Sequence, residues 1–268
     1  MKDDYLNIKV KGWKREINIC IISIIEEEMQ SIISKYSMEV VNDDNYMHWI
    51  GSVPNNPNIK IHCYQQNEPG NIYSAQVTNY VLEKKYDAYF CVGTAGSIQT
   101  NLYDVIIVNQ IIYLGKGANT VDGRKFDGKA TEISEKSKNI INSFLLDLKK
   151  KTELNFDVSI KPIYAGDDVE KNPEHADLLE ARGFARHLSA IDMESFGVYQ
   201  AINFYESFES KEKKLLFILR GISDRGDGLK NSIYEDGLNE KQRKEHAMNH
   251  VMIILNEFIL FVEKIMKR

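Results

Sequence analysis

The sequence predicts an α/β fold: a three-layer sandwich with a central mixed, mostly parallel sheet flanked by helices. Three observations carry that expectation. Short runs rich in β-branched and aromatic residues alternate with stretches of helical periodicity, the pattern of strand–helix–strand units around a largely parallel sheet. The pair 46–50 and 59–65, joined by a segment with two prolines, reads as an antiparallel hairpin, which makes the sheet mixed. Finally, 268 residues at 43% apolar content, with only 5 prolines and no Ser/Gly run, fit one large domain rather than two joined by a linker. The expected organisation is a single domain over 1–268, of which 1–16 are an N-terminal extension.

In chain order, the strand-like runs are Ile17–Ile25, Tyr46–Ile50, Ile59–Gln65, Ala88–Val92, Val105–Tyr113, Val158–Ala165, Ser189–Ile191 and Leu215–Ile222. Helical periodicity marks Ile72–Lys84, then Ser134–Lys150 with Ile140, Ile141, Phe144, Leu145 and Leu148 along one stripe. Asn172-Pro173 opens a further helix to Arg182 as an N-cap and first-turn pair. Met193–Tyr205 and Glu240–Met266 complete the set, and no internal repeat is visible. The glycine-rich stretch 114–128 is too long for a plain connector; it reads as a lid or as a surface loop.

Composition excludes several function classes. The net charge of −5 is spread over interspersed acids and bases, with no basic stripe of the kind that binds nucleic acid. The N-terminus Met1-Lys2-Asp3-Asp4 lacks the basic and apolar regions of a signal peptide, and Val251–Val262 is too short to span a bilayer. Cys20, Cys63 and Cys91 are isolated, and two of them sit inside apolar runs, as reduced buried thiols do. A soluble, cytoplasmic protein is expected.

Three acidic residues stand just past apolar runs: Glu28 after Ile17–Ile25, Glu194 after Leu188–Ile191, Asp224 after Leu215–Ile222. Ligands of an open α/β sheet bind beyond the carboxyl ends of its strands, so these carboxylates can converge on one crevice. Acids gathered there suit proton transfer to a leaving group and activation of water. Two of them also have a plainer reading: Glu26-Glu27-Glu28 as a solvated first helical turn, Asp224 as a helix N-cap. Cys91-Val92-Gly93-Thr94-Ala95-Gly96-Ser97 ends a strand in small residues whose N–H groups can face an oxygen-rich ligand. Neither a dinucleotide fingerprint nor a Walker pattern is present. His246 and His250 have metal-ligand spacing, but no third ligand is near in sequence, so surface histidines are expected and no metal or cofactor is called for.

Four blocks in this order resemble the purine nucleoside phosphorylase and methylthioadenosine/S-adenosylhomocysteine nucleosidase superfamily, over roughly residues 17–265. They are Ile17–Met29 with its three glutamates, Val92–Ser97 with Gly-Thr-Ala-Gly, Ile191–Gln200 with Asp-Met-Glu, and Arg220–Asp227 with Arg-Gly-Ile-Ser-Asp. The resemblance implies that Glu28 polarises the attacking water and that Glu194 hydrogen-bonds ribose hydroxyls, with Met193 against the sugar. It implies that Asp224, oriented by Ser223, serves N7 of the purine, and that Thr94, Ala95 and Gly96 line the sugar side. Asp224 then has to hold or share a proton near neutral pH, which calls for a desolvated site.

Departures bear on specificity. Cys91 stands where the phosphorylases carry an arginine, and the first strand is followed by acids, so hydrolysis is favoured over phosphorolysis. Val169 stands where the nucleosidases stack an aromatic residue on the base. Glu170 reads as an acceptor for an exocyclic amine or as a surface acid. The tail Arg225–Asn231 is closer to phosphorylase-superfamily effector domains of NLR-like and anti-phage defence proteins, members of which act on adenine nucleosides or nucleotides; on that reading Lys116, Arg124 and Lys125 would meet phosphates, or are ordinary solvated side chains. The implied partner is a small purine nucleoside or nucleotide, with neither nucleic acid nor membrane. The family also implies a homo-oligomer whose neighbouring subunit completes the pocket; Tyr73, Tyr80 and Tyr103 read as candidate contacts or as core packing. The rivals are a phosphate-dependent phosphorylase and a catalytically silent nucleoside-binding sensor.

Overall fold

The computed structural model describes residues 15–41, 45–66, 68–113, 117–120, 123–126, 129–151, 153–166, 183, 187–209, 213–226, 234 and 236–267. The order is β1 (Ile17–Ser23), α1 (Glu26–Tyr36), β2 (Glu39–Val41), β3 (His48–Val53), β4 (Asn56–Gln65), α2 (Asn71–Leu82), β5 (Ala88–Ser97) and β6 (Val105–Tyr113). There follow β7 (Gly117–Thr120), β8 (Gly123–Phe126), β9 (Lys129–Glu132), α3 (Glu135–Lys151), β10 (Val158–Ala165), β11 (Ala190–Asp192), α4 (Ser195–Glu209), β12 (Leu216–Asp224) and α5 (Glu240–Met266).

The main sheet runs β11-β10-β6-β12-β5-β1-β4-β3-β2, with β9 beside β6. It is mixed, as expected. Parallel pairings join β4, β1, β5 and β12, and also β6, β10 and β11. Antiparallel pairings join β2, β3 and β4 at one edge and β12 with β6 inside.

The continuous apolar runs of the central strands are buried on both faces, which is why they read as solid rather than alternating. Ile17, Ile19, Ile21, Phe90 and Val92 point to one side, into a core capped by Met29 and Ile32 of α1, Phe144 of α3 and Phe258 of α5. Cys20, Ile22, Tyr89 and Cys91 point to the other, against Val77 and Val81 of α2 and Val198 and Ile202 of α4. The three layers follow from that two-sided alternation.

One feature was not foreseen. β11 pairs in parallel with β10 but also antiparallel with β5, through Ala190↔Ser97 and Ile191↔Gly96. Strands β5, β12, β6, β10 and β11 therefore close on themselves. The first half of β5 pairs with β1 (Ala88 to Cys91), and its second half turns into the closed part. Stretch 114–128, expected as a loop, holds the two-stranded β7–β8 ribbon, with Asn119↔Arg124 in register. The helix expected over 172–182 lies outside the described residues.

Candidate functional site

The end of β5, residues 93–97, is where the three acids meet. Beyond its last pairing with β1 at Cys91, the strand turns its backbone toward α1. There the Thr94 N–H and hydroxyl both donate to Glu28 Oε1, at 2.7 and 2.9 Å. Glu28 is the third residue of α1 and 2% exposed, whereas Glu26 is exposed. Of the three consecutive glutamates, the solvated-turn reading thus holds for Glu26 and fails for Glu28. Among the described residues its Oε2 accepts long bonds, from the Ser23 hydroxyl (3.5 Å) and the N–H groups of Ile24 (3.4 Å) and Ile25 (3.5 Å). A negative charge at a helix N-terminus is favourable, and bonds to a carboxylate are about twice as strong as neutral ones. A Cβ at Gly93 would stand 2.9 Å from Glu28 Oε2, so only glycine lets β5 approach this closely.

Glu194 follows β11 and is 6% exposed. Its Oε1 accepts the Gly70 N–H (3.3 Å) and its Oε2 the Met193 N–H (3.2 Å). Gly70 precedes α2 with φ +119°, a conformation side chains resist, so glycine aims this N–H at the acid. The Arg220 guanidinium lies 3.9 Å away. Burial first, then the charges of Asp192 and Glu28, push the Glu194 carboxyl up to about 7 against the pull of Arg220 and the Met193 N–H. The Glu28 charge is among the causes that raise Glu194, which ties the two carboxylates to one site.

Asp224 ends β12 opposite Gly96, after a bulge at Ser223, and is 9% exposed. Its Oδ2 accepts the Ser223 hydroxyl at 3.2 Å and its Oδ1 the Gly226 N–H at 2.9 Å. A Cβ at Gly96 would lie 2.9 Å from that Oδ1. Glu28 on Thr94, Asp224 opposite Gly96, and β11, which Glu194 follows, paired with Gly96 and Ser97 set the three acids at the end of β5. Ala95 is buried and Met193 half-buried beside them. Val169 lies outside the described residues, as do Glu170 and Lys116, and nothing is described of the Arg124 and Lys125 side chains.

Sequence reading missed the buried pair beneath the site. Arg220, fully buried, donates from Nε to Asp192 Oδ2 at 2.8 Å and reaches the Cys91 sulfur at 3.2 Å and the Leu219 carbonyl at 3.3 Å. Asp192 also accepts the Ser195 N–H (3.3 Å) and hydroxyl. A lone arginine inside an apolar run was the available signal, since a buried charge requires a partner. Asn71 was missed as well: its amide bridges the Gly166 carbonyl and the Gly197 N–H, fixing α2 on α4 beside Gly70.

Other expectations resolve individually. His246 is exposed, but His250 is half-buried, stacked on Phe156 at 3.9 Å and bonded to the Tyr103 carbonyl, because its helix face packs rather than faces water. Tyr73 is exposed; Tyr80 packs on Tyr46 and Tyr103 on His246. Among the described residues no three His, Cys, Asp or Glu side chains are placed to hold a metal, and no helix is long and apolar enough to cross a membrane. A cavity of about 720 Å³ lies between α1 and α5, lined by Glu26, Lys35, Lys241 and Ile253 among others; none of the three acids lines it.

No protein-family profile matches the chain, and no curated protein matches its sequence. Solved structures do. The chain is similar to the 5′-methylthioadenosine/S-adenosylhomocysteine nucleosidase of Neisseria meningitidis bound to methylthio-immucillin-A, with a TM-score of 0.68 at 15% identity, over 90% of this chain and 98% of that one. It is similar to the corresponding Colwellia psychrerythraea enzyme bound to adenine, with a TM-score of 0.69 at 15% identity, over 92% and 96%. The futalosine hydrolase of Helicobacter pylori gives 0.67 at 16% identity, over 90% and 98%. The chain therefore has the fold of the nucleoside phosphorylase and nucleosidase superfamily. At such identities the likeness carries the fold, and the chemistry rests on the residues.

Proposed function

We propose that this protein is a purine nucleosidase that hydrolyses the N-glycosidic bond of an adenine nucleoside or nucleotide and releases the free base. The observation that carries this reading is the gathering of Glu28, Glu194 and Asp224 around residues 93–97 from three distant parts of the chain. Breaking a glycosidic bond builds positive charge on the sugar, and buried carboxylates stabilise that charge.

In the proposed reaction a water oxygen attacks C1′ as the C1′–N9 bond breaks. Glu28 takes the water's proton: Oε1 is held firmly by Thr94, which leaves the more loosely held Oε2 to meet the incoming water. Asp224, steadied by Ser223 and Gly226, delivers or shares a proton at N7 so that the purine does not leave as a poor anion. Glu194, titrating near neutrality, exchanges hydrogen bonds with ribose hydroxyls, with Met193 against the sugar and Thr94, Ala95 and Gly96 along its edge. The products are free sugar and free base.

Water is favoured over phosphate on electrostatic grounds. Glu28, Asp192 and Glu194 outnumber Arg220, each of whose three nitrogens already donates to Asp192, Leu219 or Cys91. A phosphate dianion would meet net repulsion there. We further propose a cytoplasmic homo-oligomer, on the family resemblance.

The test is chromatography of products from methylthioadenosine, S-adenosylhomocysteine, adenosine, AMP and ATP, each with and without phosphate. Adenine and free sugar are expected without phosphate; dependence on phosphate, with a sugar 1-phosphate as product, would refute hydrolysis. Asp224→Asn is expected to lower turnover by about a hundredfold or more with the fold intact.

A further inference from the structure

Asp224 is held from both chain directions by one small aromatic and charged network. Before it, the Ile222 carbonyl accepts the Tyr103 N–H at 2.8 Å. After it, the Arg225 N–H reaches the Tyr234 hydroxyl at 3.4 Å, and Gly226, at φ +62°, donates to the Asp224 carboxylate. A Cβ at Gly226 would stand 2.7 Å from the Ser97 carbonyl, so the turn rests directly on the end of β5.

The two sides close through Tyr234 and Asp236. The Arg225 guanidinium lies 5.1 Å from the Tyr234 ring centre, and that of Arg243 lies 3.8 Å from it. Arg243 is fully buried and donates to the Leu238 carbonyl at 2.7 Å. Two cations on one ring repel each other, and Asp236, hydrogen-bonded by Tyr103, supplies the compensating charge. Burial works to raise the Asp236 carboxyl, but the Tyr103 hydroxyl, the Leu238 N–H, Arg243 and Arg225 outweigh it and leave it lowered.

We infer that Tyr234, whose ring meets both Arg225 and Arg243, is a positioning residue: it fixes the turn whose Gly226 N–H aims the Asp224 carboxylate. The inference rests on the proposed hydrolysis, in which Asp224 serves the leaving base. A residue that acts through Asp224 matters only when the leaving group needs a proton. Adenine does; 4-nitrophenolate does not.

The experiment compares Tyr234→Leu, Tyr234→Phe and Asp224→Asn with the wild type on an adenine nucleoside and on 4-nitrophenyl riboside, with pH–rate profiles and melting curves. Tyr234→Leu is expected to lose about tenfold or more in kcat on the adenine nucleoside, since small misplacements at a reacting centre are costly. KM and the nitrophenyl reaction should change by less than about threefold. The pH–rate limb abolished in Asp224→Asn should shift. Tyr234→Phe, which keeps the ring beside both guanidiniums, should lose less. Equal losses on both substrates, no loss on either, or an unmoved limb would overturn the inference; where the wild type does not turn over the nitrophenyl substrate, the limb alone decides. Failure of the underlying reading looks different: an inactive wild type, or an Asp224→Asn variant as active as it.

Discussion

Removing the cation under the site tests how its electrostatics are built. Arg220→Met keeps an unbranched stem of similar reach but deletes the guanidinium that lies 2.8 Å from Asp192 and 3.9 Å from Glu194, both side chains being almost wholly buried. At an effective dielectric of about 20, unit charges at the shorter separation attract by about 6 kcal/mol. Desolvation offsets part of this, and breaking such a pair from one side typically costs about 3–5 kcal/mol. Each kcal/mol moves the midpoint of a chain this size by about 2–4 °C, so melting should fall by about 10 °C. The loss comes from the stranded Asp192 carboxylate rather than from a missing attraction. Arg220→Met/Asp192→Asn should therefore melt well above Arg220→Met alone, a coupling that a double-mutant cycle measures directly. Glu194 supplies a second readout. Without Arg220 its carboxyl moves further up from about 7, whereas losing Arg220 and Asp192 together removes opposed influences and leaves it nearly where it was. A single variant as stable as the wild type, or a double variant no better than the single, would refute this account.

Three further outcomes follow from the geometry. Glu194 keeps its proton to about 7 when folded but only to about 4.5 when unfolded, so stability should fall as pH rises between those values, by up to about 3 kcal/mol, and level off above; urea melts of Glu194→Gln should lack this slope. Gly197→Ala would place a Cβ 2.0 Å from the Asn71 carbonyl oxygen, backbone against backbone, so α2 and α4 must separate at a cost of about 3 kcal/mol or more, read as lost soluble yield or a lower midpoint. Glu28→Gln should abolish adenine release while calorimetry still detects adenine binding; retained release would remove Glu28 from the chemistry, and a wild type that binds but releases nothing would support the sensor reading.

Much of the architecture was legible because strand and helix periods differ, and because runs buried on both faces are uniformly apolar. Ile17–Ile25, Ala88–Val92 and Leu215–Ile222 announced the central strands, and the acids after them announced the crevice. Stretch 114–128 reads as a loop on its glycines, whereas residues 117–120 and 123–126 pair as strands. Local pattern could not say which of three adjacent glutamates turns inward; the family resemblance did, and the rotation of α1 against Thr94 is the physical cause.

The sequence by itself determined which segments become strands and helices, and that acids follow three of the strands, because those properties depend on neighbours along the chain. Only the tertiary structure decided that β11 returns to pair with β5, that Arg220 meets Asp192 across 28 positions, and that the Tyr234 ring meets two arginines near Asp224. Such contacts depend on register and sheet closure, where a shift of one residue sends a side chain to the opposite face.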